Sequence, residues 1–285
     1  MKLSLRYVFA SIFLFHSYAA YSCEPPQDCL LPNSWQLGIA VGLGVRSNPL
    51  VDGDDVPLLL LPDIAWYGDA AYFDNGELGY QWIDSETQAF ETFIHLDEER
   101  SFFTFWSPSN IFLPFNGTAL ATPDAGPAPQ PPTQISVDDV ASRKWALNAG
   151  FRWHYKQKTG EWQLSMEKDI SDVHKGEKLH LSYQHNWQWQ EWRMALKTTA
   201  IWKSEKLVDY YYGISARDNV SAQFFYNGEA GWQPKLSLHL QRPLNSSWLW
   251  LLNASYQKLH TGMTDSPLVR EKDIQSVFSG LAYRF

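Results

Sequence analysis

Asp273-Ile274-Gln275-Ser276-Val277-Phe278-Ser279-Gly280-Leu281-Ala282-Tyr283-Arg284-Phe285 closes the chain with a two-residue alternation. Val277, Leu281, Tyr283 and Phe285 fall on one side of an extended backbone, and Phe278, Gly280, Ala282 and Arg284 on the other, because successive strand side chains point to opposite faces. The segment reads as a β-strand ending on an aromatic residue. Soluble domains usually end in loose polar tails, whereas a strand crossing a bilayer ends in an aromatic at the interface. The expectation is a strand that closes a barrel built by everything upstream, with Tyr283 and Phe285 as the signal read by the barrel assembly machinery.

The other end of the chain agrees with export. Residues 1–22 carry Lys2 and Arg6, an apolar core over 8–15, and Ala20-Tyr21-Ser22, which is the charge, core and small-residue grammar of a cleaved signal peptide. The core is too short for a spanning helix, which weighs against an uncleaved anchor. Cys23 follows the cleavage point, but Ala20-Tyr21-Ser22 lacks the residues of a lipoprotein signal. Cys23 and Cys29 are the only cysteines. In an exported chain so close a pair reads as a disulfide, with two free thiols as the alternative; a metal pair lacks the neighbouring His or Cys that would complete it. Residues 23–33 are then a periplasmic tail and 34–285 the barrel.

The leader holds two of the 23 Lys and Arg residues and none of the 31 Asp and Glu residues, leaving 21 against 31. Such an acidic balance makes nucleic acid a poor partner. Aromatics make up 15% of the chain, with 14 Trp, and no long apolar run accompanies them. That combination argues against a helical membrane protein and fits strands facing lipid on one side and water on the other.

Working back through the chain, the same alternation predicts strands at 35–46, 57–67, 70–83, 87–96, 101–106, 144–156, 162–170, 179–189, 192–203, 235–241, 248–257 and 273–285. In 144–156, for example, Trp145, Leu147, Phe151, Trp153 and Tyr155 share one face and Lys144, Asn148, Arg152, His154 and Lys156 the other. A soluble sandwich alternates too, but here aromatics gather toward the strand ends and charges line the opposite face. The fold class read is all-β: a transmembrane, antiparallel, up-and-down β-barrel of about twelve strands, within a range of ten to fourteen. Short joins fall on the side of the termini and long ones opposite, with 84–86 the one exception. The Pro-rich segment at 107–140 can be neither strand nor helix and reads as an extracellular loop. Gly42-Leu43-Gly44 lacks the helix that a nucleotide loop requires. The loop with Asp52, Asp54 and Asp55 lacks the spacing of a calcium loop and reads as solvated.

Several elements are similar to the MipA/OmpV family of MltA-interacting outer-membrane proteins. They are residues 38–45 followed by the Asp-rich loop and Pro57, residues 105–108, Asp209-Tyr210-Tyr211-Tyr212-Gly213, and Thr264-Asp265-Ser266-Pro267-Leu268-Val269 ahead of the closing strand. The Pro-rich insert and the Cys23/Cys29 pair depart from the pattern. The resemblance implies an outer-membrane scaffold linking a lytic transglycosylase to a murein synthase, with other relatives acting as surface antigens or adhesins. It carries over no catalytic residue and no cofactor. Tyr210 to Tyr212 and Asp265 to Pro267 serve either to pack loops over the barrel mouth or to bind a ligand.

Two other function classes can be weighed on residues. A lipid hydrolase could use His180 and Ser182, but their strand gives its lipid side to Leu179, Leu181 and Tyr183, and no G-x-S-x-G elbow exists. A channel could use Lys144, Arg152, Lys156, Arg193, Lys197, Lys203, Lys235 and His239 as a cationic, anion-favouring lumen, unless Glu167 and Asp169 pair with them and side chains fill the interior.

Overall fold

A computed structural model describes residues 33–103 and 134–285. The leader, Cys23, Cys29 and most of the Pro-rich loop lie outside the described residues. Twelve antiparallel strands form one closed barrel. They are β1 (Ser34–Arg46), β2 (Val56–Tyr67), β3 (Ala71–Asp74), β4 (Glu77–Asp84), β5 (Gln88–Leu96), β6 (Leu147–Gln157), β7 (Gly160–Asp169), β8 (Glu177–Trp189), β9 (Trp192–Lys203), β10 (Gly231–Pro243), β11 (Trp248–Lys258) and β12 (Asp273–Arg284). Each strand pairs with its neighbours in sequence, and β12 pairs with β1 from Gly38↔Arg284 to Arg46↔Ser276. Closure gives every strand two neighbours, as a bilayer demands, although the four-residue β3 meets β2 only from Ala65 to Tyr67. Among the described residues no helix is long and apolar enough to cross a membrane.

The strand count matches the expectation, but two assignments change. The expected strand at 70–83 is two strands, reversed at Asn75-Gly76. Both residues take positive φ, 45° and 97°, and Asn-Gly is the pair that adopts such a mirror-image hairpin turn most readily. Asn75 also accepts a hydrogen bond from the Ile64 amide through Oδ1 and donates to Asp63. The expected strand at 101–106 is absent over its described residues: 101–103 belong to a 3₁₀ helix, Glu98–Phe103. Asp97 Oδ1 accepts the Glu99 amide and starts that turn, while Phe102 enters a buried apolar cluster. One strand lost and one gained leave the number at twelve and remove the exception at 84–86. That join now lies at the rim of the termini, and 97–146 forms a long connection at the other.

The faces follow the alternation. Leu281 and Phe285 are exposed on the outside, and Phe278 is 1% exposed within. Trp248 packs on Tyr283, and Tyr283 meets Phe285 edge-on, forming an aromatic belt where the terminal strand meets the interface. The glycines of β1 have a specific use at the closing seam. Gly42 lies opposite Gly280, and a Cβ on Gly42 or Gly44 would collide with the β12 backbone. Phe278 fills the space that these bare positions leave inside.

The candidate functional site is a capped lumen

At the rim opposite the termini, five connections fold together over the barrel mouth. The longest helix among their described residues is α1 (Glu205–Tyr212), and a single turn, α2 (Thr261–Thr264), packs beside it. The α1 sequence places Leu207, Val208, Tyr211 and Tyr212 on its inner side, all fully buried. Leu50, Phe102, Ile135, Met263 and Leu268 complete the same cluster.

The two family motifs meet in this cap. Ser266 Oγ donates to the Tyr212 carbonyl at 2.6 Å, and the Pro267 carbonyl accepts the Ile135 amide. Asp209 Oδ1 accepts the Gly228 amide, and the Lys144 amide donates to the Tyr210 hydroxyl. The Gly213 carbonyl accepts from Arg143, whose guanidinium also pairs with Asp218 at 2.7 Å. Both side chains of that pair are essentially inaccessible to solvent. Burial would raise the Asp218 carboxyl, but Arg143 holds it below the ordinary carboxylate range.

An ionic network lies under the cap and ties it to the wall. Lys178 of β8 reaches Asp97 at 3.1 Å and Glu167 at 3.6 Å. Lys203 of β9 reaches Glu99 at 2.5 Å, and the Tyr212 hydroxyl donates to the same carboxylate. Asn148 donates to Asp97 and Glu167, and His95 contacts Glu167 at 2.6 Å. Burial works against the charge on Asp97 and Glu99. The Lys178 ammonium overrides it at Asp97 and the Lys203 ammonium at Glu99, so both carboxyls are held below their usual range. Burial and the adjacent Glu99 charge push the Tyr212 hydroxyl well up, keeping it a donor. A buried network of this kind holds only when complete, since removing one partner leaves an uncompensated charge.

Below the cap is a cavity of about 470 Å³ lined by Arg46, Lys197, Lys235, His180, Ser182 and Glu98, among others. The expected lumen cations separate into groups. Arg152 is held by both oxygens of Glu77 and by Glu91 at 2.5 Å. Lys156 pairs with Asp84 at 2.6 Å. Lys197 donates to Gln163 at 2.8 Å, and His239 contacts Asn253. Arg193 and His239 line a second cavity nearer the terminal rim. Lys144 is a correction: it precedes β6, is exposed in the cap and does not line the cavity. Asp169 is another. Its carboxylate accepts the Ser171, His174 and Lys175 amides of its own loop rather than pairing with a lumen cation. Glu167 pairs as expected, with Lys178 and His95.

His180 and Ser182 both face this cavity, away from lipid. Asp55 is used internally, accepting the Asn48 amide, and no cluster of three metal-ligating side chains exists among the described residues. Arg46, Lys178, Glu99, Arg143 and Asp218 went unmarked in the sequence reading. Arg46 and Lys178 occupy inward positions of the alternation and were legible there, whereas Arg143 and Asp218 lie in loops where no period applies.

The geometry accords with comparison to known proteins. The profile of the family described as "MltA-interacting protein MipA" matches residues 41–285. The chain belongs to this family. Among the relatives of this MipA-family protein, YiaT of Escherichia coli K12, named for the outer membrane, is 24% identical over 251 residues, covering 88% of this chain and 91% of its own. The MltA-interacting protein of the same strain is 25% identical over 256 residues, covering 88% and 90%. Outer membrane protein Omp26La of Vibrio anguillarum is 23% identical over 150 residues, covering 53% and 58%. Among solved structures, the NanC porin overlaps 87% of this chain and all of its own at a TM-score of 0.40 and 10% identity. The MipA-family chain described here is thus an outer-membrane β-barrel of Gram-negative bacteria.

Proposed function

We propose that this MipA-family barrel is a closed scaffold that holds murein-remodelling enzymes, a lytic transglycosylase and a murein synthase, at its periplasmic rim, without conducting solutes freely and without catalysis. The observation that carries the closed state is the cap: Leu207, Val208, Tyr211 and Tyr212 are wholly buried over the mouth, and Lys178 and Lys203 bind the capping turn to the wall. An open porin keeps a polar, water-filled channel instead. The scaffold role is supported by the name of the family and of the E. coli relative. In this reading the Tyr210–Tyr212 and Asp265–Pro267 motifs pack the cap rather than bind a ligand. Residues 23–33, which directly precede β1, join the short turns in the docking surface.

The test pairs two measurements on the same protein. Photocrosslinkers placed at the turns 158–159 and 190–191 in living cells should capture murein enzymes, and the purified barrel in planar bilayers should stay silent. A steady ion current would remove the closed state. Crosslinks that never include a murein enzyme would remove the scaffold.

A further inference from the structure

The inner wall of the barrel is electrically divided. From β2 to β7 the inward side chains include Asp63, Asp74, Glu77, Glu91, Glu161 and Glu167, with Arg152, His95 and His154 set among them. From β8 through β12 and on to β1, no Asp or Glu faces inward among the described residues, while Arg46, Lys178, Lys197, Lys203 and Lys235 do. Lys178 and Lys203 serve the cap carboxylates. Arg46, Lys197 and Lys235 have no carboxylate within ion-pair distance among the described residues, and all three line the 470 Å³ cavity. Arg46 is fixed there by stacking on Phe102 at 4.7 Å, and Lys197 by Gln163.

Glu98 is the one cavity carboxylate that has no base in ion-pair contact among the described residues. It offsets part of this charge and leaves the cavity with an excess of positive charge. Cations gathered in a walled, low-dielectric space repel one another and raise the local concentration of anions. Between them the wall presents hydroxyls and amides: Ser182, Thr199, Ser237, Asn253 and Gln163. The volume is that of a small-molecule site. The cap closes the outer approach. On the other side a cavity of mixed lining, with Gln184, Gln188, Arg193 and Gln241 beside Trp187 and Met194, shares His239 with the first.

We propose that this cavity binds a small, hydroxyl-rich anion, a sugar acid or sugar phosphate, arriving from the periplasm, with Arg46, Lys197 and Lys235 holding the anionic group and the Ser and Thr hydroxyls the rest. The site is independent of the scaffold role and of any through-passage.

Calorimetric titration of the purified, folded barrel with glucuronate, glucose 6-phosphate and neutral glucose tests the assignment. One or both anions should bind and glucose should not; the tighter of the two shows whether the site is built for carboxylate or phosphate. Lys197→Gln and Lys235→Gln should each weaken binding about ten-fold, the worth of one charge-assisted hydrogen bond. Lys144→Gln, in the cap, should leave it unchanged. Should either cavity variant fail to fold, salt supplies the same test on the unaltered protein, because affinity must fall as NaCl rises. Absence of anion binding at millimolar concentration, equal binding of glucose, salt-independent affinity or folded lysine variants that bind as tightly would each overturn the proposal.

Discussion

At the rim that carries the termini, neighbouring strands are joined by connections of two to four residues, whereas at the opposite rim residues 47–55, 97–103, 134–146, 204–230 and 259–272 share one apolar cluster, and 170–176 joins them through His174 against Tyr210 and Tyr211. The first end is held by local geometry. Ser85 closes its turn onto Gln88, and Asn245 accepts the Ser247 and Trp248 amides. The second end is held by contacts far apart in sequence, such as Tyr212 to Glu99 and Arg143 to Asp218. One rim could be built hairpin by hairpin, but the cap exists only once the barrel has brought five loops together. Stability and function at the two ends should therefore respond to different changes.

The largest effect is expected at the terminal rim. Phe285 is 79% exposed there on the lipid side, so it adds little to packing, and its role is proposed to be in assembly. Phe285→Ala should leave export intact and lose most of the protein from the outer membrane, measured by fractionation. Normal insertion of that variant would end the idea. At the other rim, Arg143→Ala removes the closer of the two counterions of buried Asp218 and leaves it the partly exposed Arg217 at 3.5 Å, so the cost, confined to the cap, should stay below the roughly 3–5 kcal/mol of a fully unpaired buried charge. The barrel should still insert, but protease should cut the 204–230 segment and bilayers should show intermittent current. A variant as protected and as silent as the parent would mean that the cap does not depend on this pair.

The smallest expected effect is a pH dependence that belongs to one end alone. His260 caps α2, and its buried Nε2 has no hydrogen-bond partner among the described residues. Burial, reinforced by the Lys203 charge, pushes it down to about 4, against about 6.5 in an unfolded chain. A base with a depressed native pKa takes up its proton more readily when unfolded, so the cap loses stability as pH falls from about 6.5 toward 4. Asp97 and Glu99 work in a lower window. Their native values are depressed, so their contribution is present above about 4 and is lost only below it. Near-UV circular dichroism of the buried tyrosines should show the two declines, and His260→Gln should remove the first. A cap signal flat to pH 4 in the parent would refute the assignment.

The wall was legible in the sequence because a strand has a period of two and lipid and water sort its faces; Phe278 inside and Leu281 outside needed nothing more. The two misread segments show where that rule stops. Asn75-Gly76 carried its own turn signal, overridden by the alternation on either side. Residues 101–103 alternate like a strand, yet Phe102 is buried in a cluster that also holds Leu50 and Tyr212, which no local pattern encodes. In the candidate site, Arg152 and Lys197 were visible as inward charges. Which carboxylate each would meet was not, because Glu77 and Arg152 are 75 residues apart.

By itself, then, the sequence determined a lipid-facing, antiparallel barrel closed by its last strand, since alternation and aromatic placement are local properties of the chain. Only the tertiary structure decided that the mouth is capped and that, among the described residues, one half of the wall holds cations with no carboxylate in ion-pair contact. Both depend on barrel closure and on the register of strands remote in sequence, which place Lys178 under Asp97 and leave Arg46, Lys197 and Lys235 facing a shared cavity.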